Sequence, residues 1–233
     1  MKNTIYLTLL VFLTLTTSIS TFAKGGGGGS SIGLGVGLMT ASQDDFDTLA
    51  TSVNTGGRNA TKPGSGYEFS GFYEYRFSGT MFALHLQPSY VTQEGKGSTD
   101  TVSLTGFTLF PIVRMYPLEN GFIHFYMQAG LGYGKLSGKV SQNSGAASVE
   151  FSGGAFGAVG GLGASFCFTA SHCMYMEGNF RYLPIERNLT SSTTGTPDGF
   201  SQAAAGQELE IGGNDLKTTM SGIIGSLGYQ MVF

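Results

Sequence analysis

Few side chains in this sequence are spaced for chemistry. His85 and Ser89 form a His-x-x-x-Ser pair, the kind of couple acyl transfer uses when an acid orients the histidine. On an extended strand, four residues span about 13 Å. That is too far for direct contact, so hydrogen-bonded polar residues are the better reading of His85 and of His124. Cys167 and Cys173 flank a short turn that ends in His172. They suit a disulfide, or less well a redox or metal pair with His172. The acids Asp44, Asp45, Asp47, Glu208, Glu210 and Asp215 could attract divalent cations, but ordinary solvated loops explain them better. Gly33-x-Gly35-x-Gly37 imitates a phosphate loop but lacks the strand–turn–helix context and the lysine. We therefore expect no catalytic residue, no cofactor site and no metal site, and hence not an enzyme.

The composition points to an unusual solvent. Glycine supplies 38 of 233 residues, against roughly 7% in ordinary proteins. Charged residues are 12%, about half the usual share. The glycines follow no three-residue period, which excludes collagen, and 41% hydrophobic residues exclude a disordered chain. With 12 Lys+Arg against 15 Asp+Glu, nothing favours nucleic acid. Many glycines, few charges, 18 Phe, 11 Tyr and no Trp suggest an exterior that is not mainly water.

The elements that would position these residues are strands. In 67–77, Tyr67, Phe69, Gly71, Tyr73, Tyr75 and Phe77 share one face, while Glu68, Ser70, Phe72, Glu74 and Arg76 share the other. The same period of two recurs in 32–40, 80–92, 122–135, 151–169, 173–184 and 219–233. The stretch 101–116 alternates less cleanly and suggests a bulge, with Phe110, Ile112 and Arg114 facing inward. That makes eight strands. Tight turns at 78–79, 117–121 and 170–171 alternate with four long polar connections at 41–66, 93–100, 136–150 and 186–216. Pairing centred on Ala170 sets Cys167 opposite Cys173 at a Cβ separation of about 4.5–5.5 Å, near disulfide reach in an oxidising compartment.

A soluble sandwich alternates too, so three further observations decide. The polar faces carry Glu68, Glu74, Arg76, Arg114, Glu177 and Arg181, three acids and three bases. Every base there is Arg, which suits confined pairing. Inward glycine offsets large inward rings such as Phe72, Tyr126 and Tyr175, as a narrow eight-stranded interior requires. The last strand reads Ser226-x-Gly228-x-x-Met231-x-Phe233, with Tyr229 on the apolar side. This resembles an outer-membrane assembly signal, with Met231 where an aromatic is usual.

Ahead of the strands, Lys2 and the apolar run 5–19 read as a signal peptide, cleaved after Ala23. Residues 24–30 read as a flexible stub and 31–233 as the barrel. The chain thus resembles the OmpA/OmpX-type family of outer-membrane β-barrels. The resemblance implies an all-β, eight-stranded antiparallel up-and-down transmembrane β-barrel in the outer membrane of a Gram-negative-type bacterium. The peptidoglycan-binding activity that OmpA carries after its barrel is not carried over. The expected role is structural or surface-binding, through four long extracellular loops. A narrow channel for ions or small solutes is the alternative, kept open by the inward glycine. A lipid A-modifying enzyme comes third. Expected partners are outer-membrane lipid and lipopolysaccharide, the assembly machinery and a surface ligand, around a monomer that binds no nucleic acid.

Overall fold

The computed structural model describes residues 29–55 and 63–233. The expected signal peptide at 1–23, and all of the 24–30 stub before Gly29, lie outside the described residues. Eight strands close a ring: β1 (Ser30–Thr40), β2 (Gly66–Arg76), β3 (Phe82–Lys96), β4 (Thr101–Glu119), β5 (Ile123–Gln142), β6 (Ala147–Cys167), β7 (His172–Tyr182) and, last in the chain, β13 (Gly222–Val232). Each pairs antiparallel with its neighbour, and β1 closes on β13 from Ser31↔Val232 to Thr40↔Ile223. The ring leaves no open main-chain edge toward lipid, which cannot supply hydrogen bonds.

The apolar residues of the alternation point outward. Leu34, Phe69, Leu131, Phe156, Phe180 and Ile223 are all at least half exposed. Two aromatic belts flank this surface. One lies near the tight turns (Tyr75, Phe77, Phe82, Phe122, Phe168, Tyr229) and one near the long connections (Tyr67, Tyr90, Phe107, Tyr133, Phe156, Tyr182). An 11-residue strand such as β1, β2, β7 or β13 suffices to cross the roughly 25 Å apolar band at a tilt of roughly 40°.

The turns follow their local chemistry. Asn120 Oδ1 accepts the Phe122 and Ile123 amides, and Thr169 Oγ1 accepts those of Ser171 and His172. Gly79 takes a φ of 68° between β2 and β3. The bulge in β4 falls between Met115 and Leu118, past Arg114.

Two of the four long loops do not exist as loops. Residues 93–96 continue β3, and most of 136–150 belongs to β5 and β6, which run for 20 and 21 residues. The reason is a reversal of polarity. Along the membrane part of β5, Phe125, Met127, Leu131 and Tyr133 face out. Beyond Tyr133 it is Lys135, Ser137 and Lys139 that are exposed, while Leu136 and Val140 are buried. Outside lipid the outward face has no need to be apolar, so the segment reads as polar loop although it is strand.

The described parts of the other two connections are folded. Residues 41–65 hold a helix, α1 (Asp44–Thr55), with Asp44, Asp45 and Asp47 in the first turn, where the helix dipole favours them. Residues 183–221 form a cap of short strands: β8 (Pro184–Ile185), β9 (Leu189–Thr194), β10 (Glu210–Ile211), β11 (Asn214–Asp215) and β12 (Thr218–Thr219). β8 pairs with β12, β9 pairs with Ser148–Ser152 of β6, and β10 turns into β11 through Gly212 and Gly213.

Inside the ring, glycine faces rings. An added Cβ at Gly163 would lie 2.4 Å from the Tyr126 ring, and one at Gly35 would lie 2.1 Å from the Tyr175 hydroxyl. Gly178, on the outward face, has nothing within 4 Å. Gly163→Val should therefore lower barrel stability by about 1–3 kcal/mol through overpacking, while Gly178→Ala should lower it little. Urea unfolding in lipid or detergent, followed by the shift between folded and boiled gel bands, checks both.

Candidate functional site

The lumen holds two layers of buried charge. The lower centres on Arg114, carried inward by β4 and 1% exposed. It donates from Nη1 to Glu74 Oε2 at 3.0 Å, from Nη2 to Glu177 Oε2 at 3.0 Å and from Nε to Gln128 Oε1 at 2.6 Å. Its guanidinium lies 4.3 Å from the Tyr126 ring centroid. The Tyr116 hydroxyl donates to Glu74 Oε1 at 2.6 Å and the Tyr126 hydroxyl to Glu177 Oε2 at 3.1 Å. Asn179 Nδ2 donates to Glu177 Oε1 at 3.1 Å. His85, fully buried, sets Nδ1 at 3.3 Å from Glu74 Oε2 and leaves Nε2 without a partner among the described residues. In the upper layer Arg181 donates from Nη1 to Glu68 Oε2 at 2.8 Å and from Nε to the Met220 carbonyl at 2.7 Å.

Arg76 corrects the expected balance. It lies at the turn-end rim, pairs with Glu119 and stacks over Tyr116 at 4.1 Å. β2 has reached the mouth of the barrel by that residue, so the side chain meets solvent. The buried set is thus Glu68, Glu74 and Glu177 against Arg114 and Arg181, three acids to two bases. The hydroxyl and amide donors around Glu74 and Glu177 hold the surplus negative charge. Gln128, Asn179, Tyr116 and Tyr126 join the cluster although sequence reasoning did not name them as partners. Their inward parity was the available signal.

Above the charged layers sits an apolar stopper. Met220 and Leu183 seat on glycines of β4, β5 and β6: a Cβ at Gly106 would lie 2.4 Å from Met220 Sδ, and one at Gly134 2.7 Å from Leu183 Cδ1. These side chains continue into one buried cluster that joins Phe46 and Leu49 of α1, Leu104 and Leu136 of the long hairpins, and Leu209 and Leu216 of the cap. Inward glycine therefore does not widen a bore; it makes room for rings and for the stopper.

At the turn end Cys167 and Cys173 form a disulfide, with His124 Nδ1 at 3.8 Å from Cys167 Sγ. His172 instead bonds the Tyr229 hydroxyl. A vestibule of about 60 Å³ opens here, lined by Glu74, Arg76, Tyr116, His124, Ser165 and Gln230. The structure places Ser226 and Gly228 inward on β13, with Tyr229 and Met231 opposite Met174 and His172 of β7. Phe233 exchanges main-chain hydrogen bonds with Ser30.

Other singled-out groups stay apart. His85 and Ser89 share no hydrogen bond among the described residues. Asp44 accepts from Ser42, Asp45 accepts the Lys217 amide, and Glu208 and Asp215 both pair with Arg187. Among the described residues no group of three or more His, Cys, Asp or Glu could hold a metal.

Removing Arg114 would leave two buried carboxylates uncompensated. Arg114→Met should therefore cost about 3–5 kcal/mol, and Arg76→Met, at the wet rim, about 1 kcal/mol or less. Equal shifts in urea midpoint for the two variants would contradict this assignment.

A family model described as an outer membrane protein beta-barrel domain matches residues 8–230. Comparison with curated proteins gives no match. Among solved structures, a major outer membrane protein from Thermus thermophilus is similar at 12% identity, over 88% of this chain and 99% of that one, with a TM-score of 0.56. Ail, the attachment invasion locus protein of Yersinia pestis, solved with the heparin analogue sucrose octasulfate, matches at 14% identity, 89% and 99% coverage and a TM-score of 0.47. The outer membrane protease OmpT from Escherichia coli matches at 9% identity, 93% and 100% coverage and a TM-score of 0.41. The last match corrects the expectation that the chain is not an enzyme: a protease stands among proteins of this general shape, so a barrel fold cannot exclude catalysis. The ring of eight strands, its apolar exterior and the family match agree, and the chain belongs to the outer membrane protein beta-barrel family, in the outer membrane.

Proposed function

We propose that the protein presents its loop-end cap as a rigid binding surface outside the cell. One observation carries this reading: Phe46 and Leu49 of the first long connection and Leu209 and Leu216 of the last are packed on a shared apolar core. A preformed surface loses little conformational entropy on binding. The same core stoppers the lumen, so the channel reading has the Leu183–Met220 seat and the Arg114 layer against it. Residues 1–23 would direct export and be removed. Ser226, Gly228, Tyr229, Met231 and Phe233 would be read by the assembly machinery as the barrel closes.

Two measurements test this. Purified protein in planar bilayers should show no steady conductance, and sustained open events would favour the channel instead. Replacing 186–216 by a short Gly/Ser link should preserve heat-modifiable migration. It should also abolish binding to whichever polysaccharide or matrix protein the intact chain retains on a surface array. Unchanged retention would remove the cap from the function.

A further inference from the structure

Just above the loop-side aromatic belt, the outward wall of β4, β5 and β6 changes from apolar to hydroxyl-bearing and basic. Lys135 stands on that line. Its register partners are Phe107 on β4 and Gly154 on β6, and Tyr133 lies two residues below it on the same face. Every other lysine and arginine among the described residues sits in an ion pair; Lys135 has none. Its neighbour along the strand, Lys139, is committed to Glu150 at 2.8 Å, and that hydrogen bond holds the Glu150 carboxyl below the usual carboxylate range.

Gly154 shapes the space beside Lys135. A Cβ there would lie 2.2 Å from the Tyr133 hydroxyl, so the phenol reaches into the gap the glycine leaves. The Tyr133 hydroxyl also has no hydrogen-bond partner among the described residues. Tyr133 packs edge-on against Phe156, ring centroids 5.2 Å apart, which fixes its ring at the boundary. Two uncommitted donors, one of them cationic, thus share one spot where the apolar surface ends. Directly below lie Leu109, Leu131 and Phe156, the last two strongly exposed.

An acceptor that fits must carry negative charge and more than one oxygen, and must continue downward as hydrocarbon. We propose that Lys135 and Tyr133 dock the phosphate of an outer-leaflet glycolipid, whose acyl chains lie on the apolar wall beneath. Continuity of the spot with the lipid-facing belt argues for a lipid phosphate over a free one. The inference rests on the proposed orientation, with the loop end outside the cell, and is independent of what the cap binds.

Native mass spectrometry of the full chain in detergent tests it, with diphosphorylated lipid A, its dephosphorylated counterpart and inorganic phosphate as probes. The intact protein should retain the phosphorylated lipid about fivefold more than the dephosphorylated one, the scale of one exposed ion pair. Lys135→Gln should bring that ratio to about one, Tyr133→Phe should lower it part of the way, and Lys96→Gln should leave it unchanged. Inorganic phosphate at equal concentration should not displace the lipid. Equal retention of both lipids, an unchanged ratio in Lys135→Gln, or displacement by inorganic phosphate would overturn the proposal. Heat-modifiable migration of each variant confirms that the barrel being measured is folded.

Discussion

Hydrocarbon offers a peptide group no hydrogen-bond partner, and each unsatisfied group there costs several kcal/mol. The seam between β1 and β13 meets that constraint, with ten successive register pairs that leave neither strand with a free side. The rest of the molecule depends on this closure. Once eight strands form a ring, the interior is too narrow for water to solvate what points into it. Every inward side chain must find its partners inside, and every outward one must suit lipid.

The interior answers with size compensation and with one well-connected guanidinium. Large rings are met by glycine on nearby strands, as Tyr126 meets Gly163, its register partner on β6, and Tyr175 reaches over Gly228 of β13 to Gly35 of β1. Arg114 reaches Glu74, Glu177 and Gln128, on three other strands, with its three nitrogens. A lysine could not span that arrangement, because it lacks the planar fork. The cluster ties opposite walls together and helps fix the cross-section of the barrel.

Much of this was legible in the sequence because a period of two is rigid. Facing Glu68, Glu74, Arg114, Glu177 and Arg181 inward requires only parity, and the turn residues mark where one strand ends and the next begins. The illegible part lies where the solvent changes. Residues such as Lys135, Ser137 and Lys139 alternate with Leu136 and Val140 as a strand should, but with polarity reversed, so they read as loop. Helix α1 carried a faint sign, Asp44, Asp45 and Asp47 interleaved with apolar Phe46 and Leu49 one turn apart, inside a Thr-rich stretch. The cap was hidden because Leu183, Ile185, Leu209, Leu216 and Met220 are scattered singly along a polar segment. Only the fold gathers them. Arg76 differed for a simpler reason: parity says which way a side chain points and not how near the strand is to its end.

The cap core has a consequence in time. It joins Phe46 and Leu49, which follow β1, to Leu183 and Met220, which bracket the connection from β7 to β13. These pieces are far apart in the chain and share a side of the membrane only after the intervening strands have crossed it. The part of the cluster on β4, β5 and β6 is local, but the whole is complete only when the ring is, and it acts as a latch: the long-range contacts that slow its completion hold the finished ring shut.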